Sequence, residues 1–479
     1  MLLKIILQTE RLKMKKEWTK ALSPIIAASM IVTLGSCGNP GAQVQEDIPS
    51  QVDNDIPTVD PSSQSDNDIP TEVTEQSDYV HGEEGYYSQV DNGISSEVTK
   101  QGMGGCWGHA ATSSILITSQ IRDGKKLDFT PDDILKSILT GHEEGWRYDQ
   151  DVNLTPGTAS IVINSLSNGI GDSGYAIVEA PIYTGTDEND EPCSFATKEQ
   201  IQEIIRTEGP VMAGLSFSGA NFYGKDHGYF TLYNDPAKKA EMHHEVCLVG
   251  WDDHFPKEYF GEYLGKELPE HDGAWLAKDS MGPDYGNDGY FWLSYDSHLI
   301  YDSLLYVSDK YSKILSYEGG CLGTIDAGDQ NVAANVFHEK GKLAAVGTYV
   351  GIRTVRGNDY ILDPSATKIT IEVRDESMTE VLARKEADFS FGGYYVTELD
   401  SPIDVEDYSI VITYSSPIPV ESEVLESHHG VYYVSGVDAG QSFILKDSEW
   451  IDMSDPSAKD TFGLEYTPNN VCIKALYVE

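Results

Sequence analysis

Cys106 closes a glycine-rich loop, Gln101-Gly102-Met103-Gly104-Gly105, and opens the run Trp107-Gly108-His109-Ala110-Ala111, which continues through Ile115, Ile117 and Ile121. A thiol is a useful nucleophile only as its thiolate. A helix N-terminus stabilises that anion, because unpaired backbone N–H groups and the helix dipole both favour negative charge. The glycines before Cys106 allow a tight turn and leave room for a substrate. The run after it suits a largely buried helix. Farther on, His243-His244-Glu245-Val246-Cys247-Leu248-Val249-Gly250 passes from polar to apolar and ends in glycine, the pattern of a strand entering a core. Taken singly, each residue has a plainer reading: a buried small cysteine, a satisfied histidine, an Asx turn at Asp279-Ser280. Their joint order and spacing carry the argument.

The first stretch resembles the active-site segment of papain-like cysteine peptidases, in which Gln-Gly lies shortly before Gly-x-Cys-Trp. That resemblance implies a histidine about 130–150 residues downstream, with an asparagine in the same region. His244 follows Cys106 by 138 residues and heads a strand similar to the family's His-x-Val…Val-Gly-Tyr. The block Lys278-Asp279-Ser280-Met281-Gly282, continued by Gly286-Asn287-Asp288-Gly289-Tyr290, is similar to Lys-Asn-Ser-Trp-Gly…Gly-x-x-Gly-Tyr. Asp279 stands where the family has Asn, and Met281 where it has Trp. An aspartate accepts a hydrogen bond from the histidine, expected here from Nδ1–H, and stabilises the imidazolium more strongly than an amide. Methionine covers that bond less than the indole.

The resemblance implies the roles. Cys106 attacks a peptide carbonyl, and His244 protonates the leaving amine and then activates water. The Cys106 backbone N–H and the Gln101 amide form the oxyanion hole. Gln101 lies five residues before Cys106, one fewer than is usual, so its loop must be tighter. Glu245 and Gly157 are the substrate-binding candidates. Glu245 follows the catalytic histidine, a position that lines the main side-chain pocket in the family, and an acid there implies Lys or Arg two residues before the cleaved bond.

Local signals outline the elements that position these residues. Thr130-Pro131-Asp132-Asp133 starts a helix, and so does Thr197-Lys198-Glu199-Gln200. Val211–Leu215 reads as a strand. From about 311 the chain alternates in short runs, Lys342–Tyr349, Lys368–Arg374, Tyr408–Tyr414, Val431–Val434 and Val471–Tyr477. Turn residues separate them, which argues for an antiparallel β-sandwich. This order of regions resembles a bacterial subgroup of the family with a lectin-like β-sandwich. The expected fold class is an α+β papain-like two-lobed peptidase domain followed by an all-β antiparallel sandwich, with a disordered acidic N-terminal tether.

Lys15-Lys16 precede an apolar run, Ala21 to Leu34, too short to span a bilayer comfortably. It ends Leu34-Gly35-Ser36-Cys37, which looks like a bacterial lipobox with lipidation at Cys37. The organisation expected is a signal peptide over 1–36 (start at Met14), a linker over 37–84, a peptidase domain over 85–308 and a sandwich domain over 309–479. No Lys or Arg occurs from Gly38 to Thr99. Such a segment cannot bury enough apolar surface to fold. The formal charge of −45 excludes nucleic acid as a partner. The partners expected are protein or peptide substrates and the membrane through the lipid at Cys37; the C-terminal domain either binds carbohydrate or serves as a structural brace packed on the peptidase. The address is the extracytoplasmic face of a bacterial cell envelope. No cofactor or metal is implied. Six cysteines, two of them with chemical roles, leave few for disulfides. Two other readings fit these residues: a surface adhesin with a weakened peptidase domain, and an acyl transferase using the same Cys–His pair.

Overall fold

A computed structural model describes residues 81–479, apart from positions 83 and 103 and the segments 141–144, 149–156, 187–191, 217–221, 224–227, 235–243, 262–267, 357–358 and 424–430. The signal segment, Cys37 and most of the acidic tether lie outside the described residues.

Helices begin where local chemistry dictates. α1 (Cys106–Asp123) follows the glycine loop and is buried from Cys106 through Ile115. α2 (Pro131–Thr140) starts where the Thr130 hydroxyl and the Asp133 carboxylate cap each other's backbone N–H groups. α3 (Ala159–Leu166) is buried at every position. α4 (Lys198–Thr207) carries a full capping box between Thr197 and Gln200 and buries Ile201 and Ile205. Gly108 lets α1 and α2 meet closely, since a Cβ there would lie 2.4 Å from Leu135 Cδ2.

The first lobes are built on an eight-stranded sheet. It includes β1 (Tyr86–Ser88), β4 (Val211–Leu215), β5 (His244–Asp252), β6 (Ala274–Lys278), β7 (Tyr290–Ser294) and β8 (Leu299–Tyr301). β5 runs antiparallel between β4 and β6. All but one of its residues are buried, which explains its near-continuous apolar run. Cys247 of β5 donates from Sγ to the Ala110 carbonyl at 3.1 Å and so ties the strand to α1.

The C-terminal region is an antiparallel sandwich. A ten-stranded sheet faces a three-stranded one, with Phe337, Val346, Ile371 and Ile412 of the first packed with Ile325, Val420 and Val471 of the second. The large sheet is organised by two long strands, β10 (Asn331–Val350) and β12 (Gly393–Tyr414), paired antiparallel. The run Lys342–Tyr349, expected as a short strand, is the second half of a strand of 20 residues whose first half is Asn331–Phe337. The polar stretch between them leaves the core, and the register shifts there between His338 and Gly341. β15 (Ile473–Val478) closes the other side of β10.

Strands from before residue 308 complete this sheet. β3 (Ala176–Pro181) pairs with β12, and β9 (Tyr306–Ser308) pairs with β3. β2 (Gly145–Tyr148) pairs with β14 (Val431–Val434). One apolar cluster runs from Trp107, Ala110 and Ile163 to Tyr349, Tyr394 and Cys472. The two regions therefore share a core.

Candidate active site

Cys106 is the first residue of α1. The N-cap position is Gly105, no side chain caps the helix, and its first turn holds no acid. Nothing anionic in that turn competes with a thiolate for the helix terminus. Gly104, with φ of 92°, takes a conformation that other residues resist, so the loop needs glycine there.

His244 opens β5, and Asp279 follows the end of the neighbouring strand β6. His244 Nε2 and Asp279 Oδ1 lie 2.8 Å apart, with side-chain exposures of 1% and 0%. The ring atom differs from the expected Nδ1. Asp279 is fixed in turn: its Oδ1 accepts from the Ser280 N–H at 2.7 Å, and its own N–H donates to the Gly289 carbonyl at 2.9 Å. Met281 is 36% exposed, whereas the His244 and Asp279 side chains are buried.

Gln101 is brought to the same place. Its N–H donates to the Ser280 carbonyl at 2.7 Å, and its Oε1 accepts from the Ser280 hydroxyl. With the amide oxygen occupied, Nε2 is the end left to donate, the polarity an oxyanion needs. Ser280 thus joins the Asp279 loop to the Gln101 loop. The sequence places Ser280 in the block similar to Lys-Asn-Ser-Trp-Gly, or in a turn, and assigns it no contact of its own. The signal was its place between the orienting acid and Met281, since Lys100 and Met281 bridge the same two loops.

Beneath these residues lies a polar layer that patterning missed. Lys278 is buried and donates to the Glu97 carbonyl at 2.9 Å and the Ser113 hydroxyl at 3.0 Å. Burial lowers its pKa from the usual lysine value. His109 Nδ1 pairs with Thr99 Oγ1 at 2.6 Å, and burial, with the Lys278 charge second, lowers its pKa to about 4. His109 is therefore neutral through the physiological range. A histidine inside an otherwise apolar helical run was the available signal. Burial pushes the Cys247 thiol up to about 12, so it stays unreactive. Cys321 and Cys472 are fully buried thiols outside any disulfide.

Of the substrate-binding candidates, Glu245 pairs in register with Gly214 of β4, and a Cβ on Gly214 would lie 3.6 Å from Glu245 Oε2. The carboxylate lies over bare backbone. Gly157 packs on the Trp107 ring, where a Cβ would come within 2.4 Å of Cε2. Both positions therefore border the segment or strand that carries a catalytic candidate. Cys37 lies outside the described residues. Among the described residues no three His, Cys, Asp or Glu side chains gather as a metal site, and no helix is long and apolar enough to cross a membrane.

Comparison with known proteins points the same way. Residues 161–307 match the papain family cysteine protease model, and residues 314–477 match the lectin like domain model. The first match includes His244 and Asp279 and begins downstream of Cys106. Mouse cathepsin S is 22% identical over 207 residues, covering 42% of this chain and 55% of that protein. Rat cathepsin S is 24% identical over 208 residues, covering 42% and 57%. The chain thus matches a little over half the length of these curated relatives. Two solved structures of Cwp84, a surface layer associated protein of Clostridium difficile, are similar over nearly their full length. The cysteine protease after propeptide cleavage has a TM-score of 0.63 at 19% identity, covering 82% of this chain and 99% of that one. The cysteine protease and lectin-like domains give 0.62 at 18%, covering 84% and 90%.

Proposed function

We propose that this chain, which joins a papain-family cysteine protease domain to a lectin-like domain, is a cell-surface cysteine endopeptidase. Cys106 as thiolate forms the bond to the scissile carbonyl, and the electron pair moves onto the carbonyl oxygen. Gln101 Nε2 and the Cys106 N–H receive that oxyanion. His244, held by Asp279, gives its proton to the leaving amine. Water then cleaves the thioester with His244 as base, and Cys106 is restored. The observation that carries this reading is the buried His244–Asp279 contact beside a Gln101 already turned by Ser280.

The test is labelling with a peptidyl epoxide directed at papain-like enzymes, followed by mass mapping and a peptide hydrolysis assay. Modification at Cys106, with hydrolysis lost in Cys106→Ala, supports the reading. No labelling between mildly acidic and neutral pH would instead indicate an inactive adhesin. Labelling with acyl transfer to an amine, and no hydrolysis, would indicate a transferase.

The acid over Gly214 supports a preference for Lys or Arg two residues before the cleaved bond. A fluorogenic peptide library should rank basic residues first at that position. In Glu245→Gln the advantage should fall by roughly 10-fold, as for a lost partly buried ion pair. A wild-type preference for apolar residues would refute it.

Lipid attachment at Cys37 would place the enzyme on the extracytoplasmic face of the membrane, in keeping with the surface layer association stated for Cwp84. Cys37→Ser should move the protein from the membrane fraction to the soluble one. If it does not, the anchor lies elsewhere. A fold name does not supply a ligand. The role assigned to the C-terminal domain is therefore the one its contacts support, that of a brace.

A further inference from the structure

α3 connects two places that matter. The residue just before its N-cap is Gly157, pressed on the ring of Trp107, which adjoins Cys106. Toward its other end is Asn164, buried, whose Oδ1 accepts from Tyr349 OH at 2.6 Å, Tyr360 OH at 2.5 Å and the Cys321 N–H at 3.0 Å. Asn164 Nδ2 donates back to the Cys321 carbonyl at 3.4 Å. All of these partners belong to the C-terminal region. Just beyond the helix, Asn168 Oδ1 accepts from Lys474 at 2.7 Å. β2, earlier in the chain, is held from the same side, where its Trp146 lies opposite Tyr433 of β14 with their rings 5.2 Å apart. Seven residues of mostly helical backbone, about 10 Å at 1.5 Å per residue, separate Gly157 from Asn164. Because α3 is buried throughout, it moves as a rod.

We propose that Asn164 is a positioning residue through which the lectin-like domain sets the wall formed by Gly157 and Trp107, and so governs how an extended peptide seats beside Cys106. This deepens the peptidase reading and rests on it for what the groove accepts. Peptide binding depends on the wall, whereas thiolate formation depends on the helix terminus and His244. A small shift of the wall therefore weakens the first and spares the second.

The experiment uses the full chain with the double change Tyr349→Phe and Tyr360→Phe, which removes two donors and keeps both rings. Two second-order rates at Cys106 are compared. A peptidyl epoxide needs the groove, and iodoacetamide needs only the thiolate. The epoxide rate should fall about 5- to 20-fold and KM for a fluorogenic peptide should rise, while the iodoacetamide rate changes less than about twofold. Should the double variant not fold, Tyr360→Phe alone is read the same way, with a fall of about 2- to 5-fold expected. An unchanged epoxide rate, or a parallel fall in both rates, overturns the proposal. Labelling requires no turnover. A wild-type protein that is labelled by the epoxide and hydrolyses no peptide would refute the peptidase reading, and the ratio of the two rates would still decide this one.

Discussion

Replacing Asp279 by alanine should lower kcat for peptide hydrolysis by roughly 10²- to 10⁴-fold, the range of a positioned acid–base group. His244 Nε2 meets Asp279 Oδ1 at 2.8 Å, and that buried contact fixes the ring. Without it the imidazole loses the partner that fixes its orientation for the proposed proton transfer. Asp279→Asn is a different experiment, because an amide oxygen can still accept from Nε2–H. The orientation survives and the charge does not. Removing one negative charge beside the catalytic pair acts on both limbs of the pH profile. On the basic limb, protonated His244 loses its proton more readily without the carboxylate, so that limb moves to lower pH. On the acid limb, the thiolate takes up a proton less readily without a nearby anion, so that limb moves down too. The carboxylate touches His244 directly, so the basic limb should move farther, by about 1–3 units. Profiles of kcat/KM against pH for wild type and Asp279→Asn measure this. A basic limb that stays in place or moves up would show that Asp279 does not bear the charge in the active state.

The parts of this fold that were legible in the sequence are those set by neighbours along the chain. The Thr197–Gln200 capping box and the Thr130–Asp133 start are local hydrogen-bond geometries, and the helices begin there. The buried run after His244 and the helix after Cys106 show in composition because both faces are covered. What escaped is non-local. Which ring nitrogen of His244 meets Asp279 depends on the β5–β6 pairing, which no window of sequence contains. The hold of Ser280 on Gln101 joins residues 179 apart. Only the second half of β10 was legible, since the polar stretch where the strand leaves the core, His338 to Gly341, hides its continuity with the first. The placing of β3 in the C-terminal sheet could not be read from its six residues, because an apolar strand says nothing of which neighbour it will choose.

Lys474→Met should destabilise the whole chain by about 3–5 kcal/mol, the usual result of leaving one member of a buried ion pair behind. Lys474 and Glu318 pair with both side chains at 0% exposure. Lys474 Nζ also donates to Asn168 Oδ1 at 2.7 Å and to Ser316 Oγ at 3.1 Å. A lysine on β15 is thereby joined to the turn after α3, across the boundary between the two regions. In the single variant the buried Glu318 carboxylate has lost its counter-charge. Changing both residues, Glu318→Leu with Lys474→Met, removes the two desolvation costs together with their attraction. Asn168 and Ser316 then lack one partner each, at about 1 kcal/mol apiece. The double variant should therefore be more stable than Lys474→Met by at least about 1–2 kcal/mol, the sign that separates an ion pair from simple packing. Urea midpoints for wild type, both single variants and the pair close the cycle. Because one apolar cluster spans both regions, wild type should unfold in a single transition, with fluorescence and far-UV signals coinciding. If Lys474→Met lowers stability by less than about 1 kcal/mol, the pair is not the buried link described here. Two separate transitions would mean that the shared core does not couple the peptidase to its sandwich.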